Sequence, residues 1–479
     1  MNYKMIRYVL SLVLRLEAAL MLLPCVFALI FRETQGLYYV VAALICLMVG
    51  AVLSSKKPKN FDIYNKDGFV TVALAWLLLS ALGALPFVLT GEIPNYIDAL
   101  FEIVSGFTTT GASILFQVES LSHTSLFWRS FSHWIGGMGV LVFLLIMMPG
   151  QTGSRMNLMK AESPGPSVSK FVPRVKENAK ILYTIYLGLT LLELILLLLT
   201  RMNWFDAICI SVGTAGTGGF GVLSSSCGDY TALQQWIITV FMIAFGVNFS
   251  FYYLILCKKL KSAVKMQEIQ GYFFIILAAI ALLVWNNRVV IPGFGENLRA
   301  AAFQVGSIIT TTGFSTVDFN NWPELSKMIL LMLMLIGACA GSTGGGIKVS
   351  RIILMIKTVR KEIQSIAHPR AVKKIKMDGQ VVEHEVIRTL NVYIITYLII
   401  FGISLLLISF DEFNLETNFS AVAATLNNIG PGLGLVGPIS NYAFFSPISK
   451  IVLIIDMLAG RLELFPILLL MLPSTWRNK

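Results

Sequence analysis

Charge is what this sequence most lacks: Asp, Glu, Lys and Arg make up 13% of its 479 residues, against 56% hydrophobic residues and a mean hydropathy of +0.76. That balance disfavours a soluble fold of this length and places the chain among membrane proteins. Histidine is also scarce. His123, His133, His368 and His384 are dispersed and no nucleophile stands beside a base, so neither an enzyme nor a membrane-embedded receptor is indicated. His133, inside a hydrophobic run, reads as a hydrogen-bonded packing residue ahead of a proton relay. The six cysteines, Cys25, Cys46, Cys209, Cys227, Cys257 and Cys339, show no CxxC spacing, which argues for packing and against a metal cluster or a disulfide framework. Gly346 is followed by Ile347 where a P-loop needs Lys and then Ser or Thr, so phosphate cradling is removed. No soluble module carries a basic face with stacking aromatics, which removes a nucleic-acid role. No organic cofactor is implied.

Hydrophobic runs of about 20 residues, the length that crosses ~30 Å of hydrocarbon, are abundant. Ten spans are read, near 8–31, 37–54, 69–90, 126–148, 180–200, 231–257, 269–285, 326–357 (interrupted), 388–410 and 446–471. The first carries Arg15 and Glu17 and has no convincing small-x-small cleavage site, so it is expected to remain in the mature protein. Of the 37 Lys and Arg, 28 fall before the first span, at 55–67, 150–180, 257–268 and 346–388, and at the C-terminus, while seven lie on the opposite side. This asymmetry puts both termini in the cytoplasm and makes the +11 net charge a statement about topology.

The connections after spans three, five, seven and nine look alike. Asn95–Phe101, Asn203–Cys209, Glu296–Gln304 and Asn418–Ala424 each read as a short amphipathic helix. Each leads into a turn rich in Thr, Gly or Asn: Thr108-Thr-Thr-Gly-Ala-Ser113, Thr217-Gly-Gly-Phe220, Thr310-Thr-Thr-Gly-Phe-Ser315 and Asn427-Asn-Ile-Gly-Pro-Gly432. The central glycines, Gly111, Gly219, Gly313 and Gly430, lie 108, 94 and 117 residues apart, and a fourfold internal duplication is the simplest account. The fold expected is an all-α polytopic membrane protein with four tandem helix, pore loop, helix repeats around a central pore. Two N-terminal transmembrane helices (1–66) precede repeats at 67–179, 180–267, 268–385 and 386–479.

These segments are too short to cross and too apolar to be ordinary loops, so they read as re-entrant. Irregular backbone at membrane depth is tolerated only where protein or a water-filled cavity surrounds it. A ring of carbonyls from four such loops can replace the hydration shell of an ion, and glycine permits the backbone angles that turn carbonyls toward one axis. The turns contain no Asp or Glu, so neutral dipoles would select a monovalent cation over a divalent one. Helix C-termini aimed at the cavity would add their negative dipole ends. Asp98, Glu102, Asp206, Asp229, Glu296 and Asp318 around the outer mouth would concentrate cations, or are simply solvated caps. The competing reading of the turns is tight corners between packed helices.

At these residues the chain resembles the Trk/Ktr/HKT superfamily of potassium transporters along nearly its whole length, its bacterial TrkH branch most of all. The resemblance rests on Thr108-Thr-Thr-Gly111, Trp134-Ile-Gly-Gly-Met-Gly139, the run from Gly337 to Lys348, His368-Pro-Arg-Ala371, the run from Ala423 to Gly432 and the two spans before the first repeat. It implies potassium as the transported ion, a homodimer in the lipid bilayer of the bacterial inner membrane and a cytosolic, nucleotide-binding regulatory subunit of the TrkA type. Carried over, the filter comprises Thr109, Thr110 and Gly111; Thr217, Gly218 and Gly219; Thr311, Thr312 and Gly313; and Asn428, Ile429 and Gly430. In HKT relatives a serine at the first filter glycine goes with sodium preference; here that position is Gly111. The second turn, richer in glycine, has the least constrained register.

Span eight is interrupted by Gly337, Gly341, Gly344, Gly345 and Gly346, each worth ~1 kcal/mol against a continuous helix. The resemblance makes this a gating loop beneath the filter, displaced by the partner; the alternative is a static kink. Arg461, about 22 Å into the last span at 1.5 Å per residue, is expected to face the cavity below the filter as a barrier, or else to pair with Asp456 or Glu463. A symporter coupling potassium to protons or sodium is the alternative function. Such carriers show inverted repeats and midplane ionisable residues, whereas here the repeats run in one direction and the midplane reads as nearly free of carboxylates.

Overall fold

Apolar length and its interruptions dictate the architecture. The computed structural model describes residues 1–54, 64–139, 175–370 and 373–477. α1 (Tyr3–Leu20) begins where the Asn2 side chain accepts from the Met5 amide at 3.1 Å. It runs on into α2 (Leu23–Phe31), whose Pro24 is tolerated in a first turn. α3 (Gln35–Leu53) packs back along α1, and α4 (Asn65–Gly83) with α5 (Leu85–Thr90) follows. The rest of the chain repeats one sequence of events, in which a long helix is followed by a short one, a turn and a second helix. The short helices are α6 (Tyr96–Phe107), α9 (Trp204–Gly216), α14 (Phe294–Ile309) and α18 (Leu415–Leu426). At 12 to 16 residues they reach only ~18–24 Å, too little to cross a membrane. The long helices before them are α4–α5, α8 (Val175–Leu199), α13 (Gln267–Asn287) and α17 (His384–Ile408). The second helices are α7 (His123–Met138), α10 (Ala232–Phe245), α15 (Glu324–Ile336) and α19 (Pro447–Arg461). The remaining helices are α11 (Phe249–Leu256), α12 (Leu260–Val264), α16 (Val349–Ala367), α20 (Phe465–Met471) and α21 (Pro473–Trp476).

Tyr3–Phe31, Gln35–Leu53, Asn65–Thr90, Ala179–Leu199, Gln267–Asn287 and His384–Asp411 are each long and apolar enough to cross a membrane, with Ala232–Leu256 a seventh if its bent halves are joined. The other expected spans fall short as single helices for local reasons. The fourth is described only as α7; its expected remainder at 140–148 lies outside the described residues, as do Lys56, Lys57, Lys59, the basic segment 150–174 and Ala371. The eighth is split between α15 and α16, and the tenth between α19 and α20, where Glu463 and Leu464 adopt φ of 54° and 71°.

An interruption was expected in span eight alone, but all four second helices stop. α7 ends at Gly139 (φ 79°) and α15 at Gly337 (φ 74°), and α10 turns by 91° into α11 across 246–248. Reading 231–257 and 446–471 as continuous is therefore corrected. At the α10 break, Gly246 lets Tyr272 and Thr310 press in, since a Cβ there would lie 2.5 Å from Tyr272 Oη and 2.7 Å from Thr310 Cγ2. Asn248 then caps α11 by accepting from the Ser250 amide at 2.8 Å.

A hairpin of two short strands, β1 (Lys376–Met377) and β2 (Gln380–Val381), was also unexpected. Its cue is Asp378-Gly379, both at positive φ (50° and 79°), the pair that a type I′ turn demands.

The start of α7 is anchored by Glu33, in the turn between α2 and α3. Its carboxylate accepts from the amides of His123 (2.8 Å) and Thr124 (3.0 Å), the Thr124 hydroxyl (2.6 Å) and His123 Nδ1 (2.8 Å). Burial alone would raise this carboxyl, but the bonds from Thr124 and His123 outweigh it and hold the group below its ordinary value. A depressed carboxylate contributes stability above its unfolded pKa and loses it as pH falls through the folded one. Thermal melts are thus expected to show a loss below about pH 4 that Glu33→Gln flattens; a parallel pH profile in the variant would contradict this.

Candidate functional site

Each short helix ends in the same way. At or just past its C-cap lies a residue with a left-handed φ: Thr109 at 57°, Thr217 at 53°, Thr311 at 58° and Asn428 at 56°. The amide of the next residue reaches back five positions: Thr110 to Ser105 O (2.8 Å), Gly218 to Gly213 O (2.9 Å), Thr312 to Ser307 O (2.8 Å) and Ile429 to Ala424 O (2.8 Å). This is the hydrogen bonding of a Schellman cap. Glycine normally fills the left-handed position; a β-branched residue there costs on the order of 1–3 kcal/mol and persists only where its surroundings over-determine it. The third residue is a glycine at φ 79° (Gly111), 81° (Gly219), 86° (Gly313) or 95° (Gly430). The four triplets thus share one backbone path, with Thr217-Gly218-Gly219 as the second.

The four turns meet. A Cβ on Gly111 would lie 2.1 Å from the carbonyl oxygen of Gly218, one on Gly219 2.1 Å from that of Thr312, one on Gly313 2.0 Å from that of Ile429, and one on Gly430 2.6 Å from that of Thr110. Every glycine therefore abuts the central carbonyl of the next turn, and the fourth closes on the first. Asn428 Nδ2 donates across the same seam to Thr110 Oγ1 at 3.0 Å. The threonines and asparagines of the turns are buried while Gly111 and Gly219 are half-buried, the helix C-termini converge on the turns, and one cavity of about 110 Å³ is lined by Gly111, Gly219, Gly313 and Gly430 and by no carboxylate.

Behind the ring, α7 carries the support. Gly136 packs so tightly on α6 that a Cβ would lie 1.8 Å from Phe107 O, and a Cβ on Gly216 would lie 2.2 Å from His133 O. The His133 ring bonds Gly106 O through Nδ1 (2.7 Å) and receives the Phe220 amide on Nε2 (3.2 Å), so it links turns one and two as a neutral ring. Arg129 does the same nearer the cavity. It donates to Glu102 (2.6 Å) and Gly221 O (3.2 Å) and lies 3.9 Å over the Phe220 ring. Glu102 is therefore no free charge at the mouth, because it is fully buried and also receives the Ile114 amide at 3.0 Å. Asp98 is likewise taken up, by Lys450 at 2.6 Å, and Asp318 caps a single turn through the Asn320 amide.

On the other face of the ring lies the segment from Gly337 to Lys348. A Cβ on Gly344 would lie 2.7 Å from Thr310 O and one on Gly345 2.5 Å from Asn427 O, while the Gly345 amide donates to Thr311 Oγ1 at 2.6 Å. Gly337 and Gly346 pack backbone to backbone, and Gly341 O receives the Phe249 amide at 3.0 Å. Arg461, the last residue of α19, donates to Thr343 O (2.9 Å), Gly137 O (2.8 Å), Gly136 O and, at 3.4 Å, Thr109 Oγ1. Asp456 instead receives the Ser404 hydroxyl, and Glu463 pairs with Arg351. Lys348, buried, donates its ammonium to Gly344 O. Sequence reasoning passed over Lys348, Arg129 and Glu268; the usable signal was an ionisable residue inside or beside an apolar run.

The TrkH family model, described as a cation transport protein, matches residues 38–478. The chain belongs to the TrkH family. It is 36% identical over 488 residues, spanning all of both chains, to the Trk system potassium uptake protein TrkH of Escherichia coli (strain K12). It is 31% identical to the potassium uptake protein TrkG of the same strain, over 96% of this chain and 95% of the relative. Its fold superimposes on the crystal structure of the potassium transporter TrkH from Vibrio parahaemolyticus with a TM-score of 0.90 at 33% identity, over all of both chains. The family consists of transporters and not enzymes, and the chain has the mostly helical, multi-pass membrane architecture that its hydrophobic runs call for.

Proposed function

We propose that this chain carries potassium across the bacterial plasma membrane through a filter lined by the carbonyls of Thr109–Gly111, Thr217–Gly219, Thr311–Gly313 and Asn428–Gly430. The observation that supports it most is the cyclic packing of each glycine on the next turn's carbonyl, an arrangement that gathers four neutral acceptors of the kind a dehydrated monovalent cation requires. The chain divides into two leading helices and four repeats at 67–179, 180–267, 268–385 and 386–479. Both termini are cytoplasmic, by the distribution of Lys and Arg. The Gly337–Lys348 loop is the gate, held against the ring by its own glycines and by Arg461. The working assembly is a homodimer with a nucleotide-binding regulatory subunit of the TrkA type on its cytoplasmic face.

Potassium and sodium flux into liposomes holding the purified protein tests the reading, with Gly111→Ser alongside. The parent is expected to favour potassium, and the variant to lose much of that preference because its side chain must displace the Gly218 carbonyl. Equal uptake of both ions by the parent would remove the assignment.

A second reading, coupling to protons, draws on one observation. Contrary to the sequence reading, the membrane helices do bury carboxylates: Glu17, Glu193 and Asp456 are each at most 2% exposed, and both Glu17 oxygens lack hydrogen-bond partners among the described residues. Flux that follows an imposed pH gradient at fixed membrane potential, and loses this in Glu17→Gln, would favour it.

A further inference from the structure

The Gly337–Lys348 loop leaves and rejoins helices at points held by a single buried carboxylate. Glu268, in the first turn of α13, is 4% exposed. Its Oε1 accepts from the Ala340 amide, inside the loop, at 2.7 Å and from the Ser350 amide, in the first turn of α16, at 3.2 Å. Its Oε2 faces Asn248 Nδ2, at the α10–α11 break, at 3.4 Å. Two backbone bonds stitch the same region, from Cys339 to Gly246 O (3.1 Å) and from Phe249 to Gly341 O (3.0 Å). The near half of the loop and its return point are thus fixed to one side chain on a helix that is itself unbroken. The far half is fixed elsewhere, by Lys348 on Gly344 and Arg461 on Thr343.

We propose that Glu268 is the latch of this loop, a positioning residue that keeps it seated under the ring. The inference rests on reading the loop as the gate. A carboxylate this deep is tolerated because several donors converge on it. Bonds to a charged acceptor are stronger than neutral ones. They are lost if the loop swings away from α13, so Glu268 favours the seated position over the displaced one. Without it, the amides of Ala340 and Ser350 remain buried and unpaired when the loop is seated, and the balance shifts toward displacement.

Cys339, fully buried within the loop, supplies a reporter that does not depend on transport. In full-length protein reconstituted in liposomes, with the other five cysteines replaced, a charged methanethiosulfonate reagent is applied to the parent, Glu268→Gln and Glu268→Ala, and potassium flux is measured in parallel. Loss of hydrogen bonds to a charged group corresponds to about tenfold or more in the seated-to-displaced ratio. Cys339 is therefore expected to react about tenfold faster in Glu268→Ala, and flux without a regulatory subunit to rise with it; the glutamine variant, retaining a neutral acceptor, falls between. Cys209, equally buried on α9, serves as the sole cysteine in a control series and is expected to keep its rate. Unchanged Cys339 reactivity in either folded variant overturns the latch, as does an equal rise at Cys209, which would mean general loosening. Should Glu268→Ala not fold, the glutamine variant decides alone. A parent that passes no potassium would count against the filter reading while the thiol measurement still judges the latch.

Discussion

Replacing Arg129 with alanine is expected to destabilise the protein by about 3–5 kcal/mol, the usual cost of stranding one partner of a buried ion pair. Glu102, fully buried, would keep only the Ser113 hydroxyl and the Ile114 amide, and Gly221 O and the Phe220 ring would lose the cation between them. Because Arg129 joins turn one to turn two, flux should become less selective in whatever protein still folds. Combining Arg129→Leu with Glu102→Leu removes both charges, so part of the thermal stability should return while the selectivity should not. An unchanged melting temperature for Arg129→Ala would refute the account. So would a double variant less stable than the single one.

Arg461→Ala is expected to raise potassium flux measured without any regulatory subunit by about tenfold or more, because two effects act in the same direction. The first is loss of a charged donor to Thr343 O, worth ~1.5–3 kcal/mol to the seated loop. The second is removal of a positive charge beside the proposed ion path, worth ~3 kcal/mol for a cation ~5 Å away at an effective dielectric constant near 20. Arg461→Lys separates them, since it keeps the charge but cannot span Thr343, Gly136 and Gly137 together. It should leave the barrier largely in place while loosening the loop, which Cys339 reactivity would register. If flux and block in Arg461→Ala equal those of the parent, Arg461 is neither barrier nor tie.

Much of this was legible in the residues, for identifiable reasons. Apolar runs announce helices because the bilayer leaves the backbone few alternatives, and four turns with central glycines announce a shared backbone path because few other residues adopt φ near +80°. The fourth short helix was set four residues late. Its cap is Asn414, which accepts from the Thr417 amide, and not Asn418, whose Nδ2 instead donates to Phe413 O. Spacing could have corrected this, since Asn95, Asn203 and Asn414 each precede their central glycine by sixteen residues. Hidden altogether were features made by partners distant in sequence. Glu102 looks like a mouth carboxylate until Arg129 is placed beside it, and Glu268 looks like an interfacial charge until Ala340 and Ser350 arrive from 72 and 82 residues away. The break at Gly246–Asn248 was masked because its flanks are as apolar as an unbroken helix.

The contact between the first and fourth turns joins Asn428 to Thr110 across 318 positions of chain. Until the final quarter of the polypeptide has been made and inserted, Gly313 and Thr110 lack the neighbour that closes the circle, and no ring exists. A nascent chain ending before Leu415 should therefore be held in the membrane with its three turns unclosed, so ribosomes yield the complete circle of turns only near the end of synthesis.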